Sequence, residues 1–145
     1  MSDKIILLVE DNPSDEALTL RALRKNNIST TVVVKRDGAE ALDYLLERRS
    51  DSSETCALPQ LILLDLHLPK IDGLEVLRRI RADARTRLLP VVILTSSRED
   101  SDLVRGYDLG ANGYVRKPVD FVQFAEAVRH IGRYWLIINE RAPTV

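Results

Sequence analysis

The chain has 145 residues, 45% hydrophobic and 30% charged, with a formal net charge of −1, which is enough for one domain with a core of its own. Near-balanced charge argues against a nucleic-acid-binding or polyanionic role, and a single cysteine, Cys56, rules out an intrachain disulfide. The opening apolar run is too short for a signal peptide and ends in two carboxylates, and no run approaches a membrane span, so a cytoplasmic protein without membrane or direct DNA contact is expected.

Lys4 to Val9, "KIILLV", is an unbroken apolar run of strand length, the pattern of a strand buried on both faces of a parallel sheet. Asn12-Pro13-Ser14 then reads as a helix start, with Asp15 and Glu16 suited to the positive end of the dipole, and Ala17, Leu20 and Leu23 as its inner face. Thr30 to Lys35, "TTVVVK", is β-branched and predicts a strand. Gly38 to Arg48 carries a helical stripe of Ala41, Leu42, Leu45 and Leu46. The polar segment that follows, through Cys56 to Pro59, reads as a surface loop, a tolerated insertion rather than a partner-binding element. Cys56 is expected to be inert.

Leu61 to Asp65 is the third predicted strand. Asp72-Gly73 is a turn, and Leu74, Leu77 and Ile80 mark the next helix. Pro90 to Leu94 is a fourth strand, and Ser101 to Leu109 a helix stopped by Gly110. Gly113 to Arg116 is a short fifth strand. Phe121, Phe124, Ala125, Val128, Ile131 and Trp135 trace the stripe of a last helix. Five β-α units without sequence repeats predict an α/β fold, a doubly wound five-stranded parallel sheet with five helices on both faces.

In such sheets ligands bind beyond the carboxyl ends of the strands. There stand Glu10 and Asp11 after the first strand, Asp65 after the third, Thr95 after the fourth and Lys117, before Pro118, after the fifth. Crowded carboxylates repel, and a hard cation such as Mg²⁺, which prefers oxygen donors, relieves that repulsion. Asp65 then fits the role of a nucleophile forming an aspartyl phosphate, with Mg²⁺ and Lys117 neutralising phosphoryl oxygens and Thr95 donating a hydrogen bond.

The set "VEDN", "LLDLHLPKIDG", "LTSS" and "YVRKP", in this order, resembles the receiver domain of two-component response regulators. The resemblance spans about residues 4–135 of a single receiver domain covering 1–145, with a C-terminal helical extension to about residue 140. It implies a flavodoxin-like sheet of order 2-1-3-4-5 and phosphorylation of Asp65 by a sensor histidine kinase or a small phosphodonor. It also implies Mg²⁺ held by Asp11, Asp65 and the backbone carbonyl of His67, with Glu10 beside the metal, and a cis Lys117–Pro118 peptide. The family more often has Asp where Glu10 stands. The His67 side chain is expected to face solvent. Thr95 and Tyr114 match the family's switch pair, Tyr114 swinging inward when Thr95 moves toward the phosphoryl group.

Softer features, the long loop before the third strand and the tail "IGRYWLIINERAP", resemble the stand-alone regulators of phytochrome-type kinases, of which the cyanobacterial phytochrome response regulator is the model. The expected function is a phosphorylation-controlled signalling protein that catalyses only its own phosphorylation and dephosphorylation. Output would pass through the face of the fourth helix, fifth strand and fifth helix, with a homodimer through the last helix. The alternative is a Mg-dependent aspartyl-phosphate phosphatase or phosphotransferase, but His67 stands where such enzymes usually carry a second Asp. A cofactor carrier would need a phosphate-cradling loop where "EDNPSD" puts carboxylates, and a degenerate receiver would not retain the whole site.

Overall fold

A computed structural model describes residues 4–27, 30–46 and 58–143. Strands β1 (Lys4–Val9), β2 (Thr30–Lys35), β3 (Leu61–Leu64), β4 (Val91–Thr95) and β5 (Gly113–Arg116) alternate with helices α1 (Pro13–Arg24), α2 (Gly38–Leu46), α3 (Gly73–Ala82), α4 (Asp100–Asp108) and α5 (Phe121–Arg133). A π-helical turn, Tyr134–Ile138, extends α5. The strands form one parallel sheet in the order β2-β1-β3-β4-β5. Strand boundaries fall within a residue of the sequence expectation. The polar loop, Cys56 and the predicted end of α2 at Arg48 lie outside the described residues.

Alternation along the central strands sorts two cores. Leu7, Val9, Ile62, Leu64, Val91 and Ile93 pack against α2 and α3. Ile6, Leu8, Leu61, Leu63, Val92 and Leu94 pack against α1 and α5. Because β1, β3 and β4 are covered on both sides, they read as continuous apolar runs rather than alternating ones. The chain reverses its direction of travel across the sheet between β1 and β3, and their pairing of Val9 with Leu64 brings the next residues of both strands side by side.

Local signals act as read. Asn12 caps α1 with Pro13 in the first turn, accepting from the Asp15 N–H at 3.0 Å. Asp72 caps α3 through the Glu75 N–H at 3.0 Å. Gly110, at φ +104°, closes α4 in a conformation that only glycine adopts cheaply.

Two helices differ from expectation. The inner face of α1 consists of Thr19, Ala22 and Leu23, while Ala17 is exposed and Leu20 half-buried. Thr19 is accepted inside because its hydroxyl donates to the Asp15 carbonyl at 2.7 Å, leaving no unpaired polar group. In α5, Phe121 is 65% exposed, and the buried positions are Phe124, Val128 and Gly132, followed by Leu136 in the π turn. Spacing of four drifts around an α-helix. The wider turn, closed by the Asn139 N–H on the Tyr134 carbonyl at 2.7 Å, ends the helix with Leu136 inside and Trp135 half-buried against the same core.

Arg81 fastens the far end of the sheet. Its guanidinium donates to the carbonyls of Gly110 (2.9 and 2.8 Å), Arg87 (2.9 Å) and Leu89 (2.8 Å) and to Asn112 Oδ1 (2.8 Å). Replacing it with Met leaves those carbonyls without a donor. Hydrogen bonds from charged donors are worth about 1.5–3 kcal/mol each, but water reaches part of this site, so Arg81→Met is expected to lose about 2 kcal/mol in urea unfolding. A loss under about 0.5 kcal/mol, the range of ordinary surface changes, would show that water replaces the guanidinium.

Candidate functional site

The carboxyl ends of β1, β3, β4 and β5 meet at one edge. Thr95, Glu10, Asp65 and Lys117 are all buried there, at 0, 1, 6 and 6% exposure, and Asp11 is exposed beside them. Backbone pairing places each one. The Asp65 N–H donates to the Val9 carbonyl at 3.1 Å, the Glu10 N–H to Lys35 at 3.0 Å, and the Lys117 N–H to Thr95 at 2.7 Å. Gly73 permits the turn after Asp65 to fold tightly, since a Cβ there would collide with the Asp65 carbonyl oxygen.

The Lys117 ammonium spends its three protons on three carboxylates: Glu10 Oε1 at 2.8 Å, Asp15 Oδ2 at 2.8 Å and Asp65 Oδ2 at 3.2 Å. Burial pulls the lysine's pKa down. The Asp15 hydrogen bond, the Asp65 charge and Glu10 outweigh it and hold the group above the ordinary lysine range. Glu10 goes up as well, although it is paired. Burial is the main cause and the Asp65 charge adds to it, and Lys117 only partly offsets them, so the carboxyl is pushed to about 7. One cation cannot satisfy three buried or half-buried acids.

Asp65 is held at both oxygens. Oδ1 accepts from the Leu66 N–H at 2.7 Å and the His67 N–H at 3.4 Å, while Oδ2 faces Lys117. The His67 side chain is exposed. Carboxylate oxygens of Glu10, Asp11 and Asp65 all lie within 4.8 Å of one another. An oxygen-only donor set this close, with surplus negative charge, fits one hard divalent cation that keeps part of its water shell.

Thr95 Oγ1 accepts from the Ser97 N–H at 3.3 Å, and Ser97 Oγ donates to Asp102 Oδ2 on α4 at 2.7 Å. Tyr114 lies inward. Its ring packs where Gly106 of α4 leaves room, and its hydroxyl is buried near Ser97 without a well-formed hydrogen bond. Burial raises that hydroxyl's pKa. The expected cis Lys117–Pro118 peptide is absent, as no described peptide bond is cis. The lysine reaches all three carboxylates through the intrinsically preferred trans bond, and Arg98 Nη2 donates to the Lys117 carbonyl at 2.8 Å.

Asp15 is the residue that sequence reasoning missed. As an acid in the first turn of a helix it had a sufficient local explanation, and nothing in the sequence separates it from Glu16, which turns the other way to pair with Arg36 at 2.9 Å.

Residues 6–129 match the model of the response regulator receiver domain. The chain belongs to that family. The probable methanogenesis regulatory protein FilR2 of Methanothrix harundinacea is 44% identical over 139 residues, 96% of this chain and 87% of that one. The crystal structure of the phosphorylated cyanobacterial phytochrome response regulator RcpA superposes with a TM-score of 0.89 at 39% identity, covering 98% of this chain and 100% of RcpA. That of the Mn²⁺-bound form of response regulator Rcp1 gives 0.88 at 34% identity, covering 97% and 99%. The fold is therefore the receiver fold with the 2-1-3-4-5 sheet, and the protein is a phosphoacceptor signalling protein. The aspartyl phosphatase alternative is not favoured.

The receiver's crowded carboxylates carry a pH signature. Folded Glu10 holds its proton to about 7, against an ordinary 4.5, so between these values the folded state binds more protons than the unfolded one. The Glu10 contribution to the stability of the metal-free protein should therefore be fully present below about 4.5 and be lost as pH rises through 7. Glu10→Gln should flatten this limb in thermal melts run with chelator across that range. An equal slope in the variant would assign the proton to another group.

Proposed function

We propose that Asp65 is the phosphoacceptor of this receiver and that it takes its phosphoryl group from a sensor histidine kinase in a Mg²⁺-dependent reaction. One observation carries the reading: backbone N–H groups fix Asp65 Oδ1, while Oδ2 points at the buried Lys117 ammonium at 3.2 Å. A lone pair on Oδ2 attacks phosphorus, the N–P bond of the phosphohistidine breaks, and its electron pair stays on the imidazole nitrogen. Lys117 meets the negative charge on the phosphoryl oxygens. The Thr95 hydroxyl, whose oxygen already accepts from Ser97, keeps its proton to donate.

Glu10, Asp11, Asp65 and the His67 backbone carbonyl would hold the cation. When bound, Mg²⁺ supplies Lewis-acid neutralisation of the phosphoryl oxygens. The Mn²⁺-bound Rcp1 structure supports a divalent ion in a related receiver. Likeness to RcpA supports a kinase of the phytochrome type. No helix among the described residues is long and apolar enough to cross a membrane, and a cytoplasmic setting fits a histidine kinase partner. With a net charge of −1, direct DNA binding is not part of the reading.

Output runs through α4, β5 and α5. Thr95 and Tyr114 would form the switch; the Tyr114 ring already lies inward against Gly106, so phosphorylation would hold that position rather than create it. The last helical segment leaves Tyr134, Ile137 and Ile138 exposed at 45, 54 and 62%, more apolar surface than a helix end leaves in water without a partner. A two-fold homodimer through this segment covers it.

Acetyl phosphate with Mg²⁺ should give a hydroxylamine-labile adduct on the wild type, none on Asp65→Asn, and none with chelator present. Equal labelling of the variant would overturn the assignment of Asp65. For the dimer, sedimentation of the wild type should report two subunits, and a variant truncated before Tyr134 should report one. A monomeric wild type with and without phosphate would give this face to another protein.

A further inference from the structure

The three carboxylates on Lys117 are not equivalent. Glu10 and Asp65 belong with Asp11 to the oxygen cluster that converges on one point, and Asp15 stands outside it. Asp15 nevertheless bonds the ammonium at 2.8 Å, as closely as Glu10 and more closely than Asp65 at 3.2 Å. Its side chain is 25% exposed, against 2% for Glu10 and 8% for Asp65.

A dication at the cluster draws on the charge of Glu10 and Asp65 and repels the ammonium beside them. Two of the three bonds holding Lys117 then weaken together. Asp15, whose charge is not shared with the cluster, retains its hold. Its own position is fixed by α1: its N–H donates to Asn12 Oδ1 at 3.0 Å, and its carbonyl accepts from Thr19 at 2.7 Å.

We propose that Asp15 is a positioning residue for phosphoryl transfer, anchoring the Lys117 ammonium from α1 so that it stays within reach of Asp65 while a cation engages Glu10 and Asp65. The inference rests on Asp65 as the phosphoacceptor. It makes Asp15 neither a metal ligand nor a group that touches phosphate.

The test is the rate of Asp65 labelling by acetyl phosphate across a Mg²⁺ titration, for wild type, Asp15→Asn, Asp15→Glu, Lys117→Ala and the double variant Asp15→Asn/Lys117→Ala. Asp15→Asn keeps the shape and removes the charge. It is expected to slow labelling at saturating Mg²⁺ by about 10- to 100-fold, the usual range for a misplaced catalytic group. Asp15→Glu should recover most of the rate. In the Lys117→Ala background, Asp15→Asn should have no further effect, because its action passes through the lysine.

Wild-type labelling at saturating Mg²⁺ in Asp15→Asn would overturn the inference. So would an equal fold-loss with and without Lys117, or a loss that more Mg²⁺ fully restores, which would make Asp15 part of the metal's own field. A purely structural role would lower the melting temperature and leave the cycle with Lys117 additive. Failure of the underlying reading looks different: Asp65→Asn would label like wild type, or wild type would not label at all.

Discussion

A single buried ammonium holds the site together and leaves it short of charge. Lys117 binds Glu10, Asp15 and Asp65, with Asp11 close by, so four carboxylates face one cation. Buried ion pairs owe much of their stability to complete satisfaction of every charge, and here satisfaction is incomplete. The deficit appears as the raised Glu10 carboxyl. It makes the edge a place where added positive charge is welcome, which is what a hard cation would supply.

Such a cluster persists only on a rigid frame. Val9, Leu64 and Thr95, the residues that end β1, β3 and β4, are each no more than 1% exposed. Their ladder hydrogen bonds run on into the functional residues themselves, from Asp65 to Val9 and from Lys117 to Thr95. The backbones that carry the charged groups cannot move apart without breaking the sheet that two apolar cores clamp from both sides. Core burial thus offsets the electrostatic cost of the edge.

What the sequence disclosed follows from this division. The unbroken apolar runs of β1, β3 and β4 are fixed by burial on two faces, so the strands and the residues after each could be read directly, while their order in the sheet came from the family resemblance. Glu10, Asp11, Asp65, Thr95 and Lys117 came together because topology alone brings strand ends together. Side-chain choices that depend on tertiary neighbours were not legible. Asp15 and Glu16 are adjacent acids in one helical turn, yet one meets Lys117 and the other Arg36. The inner face of α1 turned on Thr19, a polar residue made acceptable by one local hydrogen bond. Phe121 fitted the α5 stripe by spacing but sits in the first turn, beyond the core's edge. The trans Lys117–Pro118 bond departs from what family resemblance implied.

The least buried of the five helices lies next to the charged site. Among the residues of α4 only Gly106 is fully buried, and its first turn is tied down by polar contacts: Ser97 to Asp102 at 2.7 Å and Arg116 to Asp100 at 3.0 Å. Ser97 also holds Thr95 through its N–H. A shift of the Thr95 hydroxyl toward Asp65 therefore pulls on the same short loop that fastens α4, and little apolar burial resists it. Elements with few buried contacts open at low free energy. The central strands hold the charged residues in place, and α4, beside Tyr114, has the least apolar burial of the helices to resist displacement.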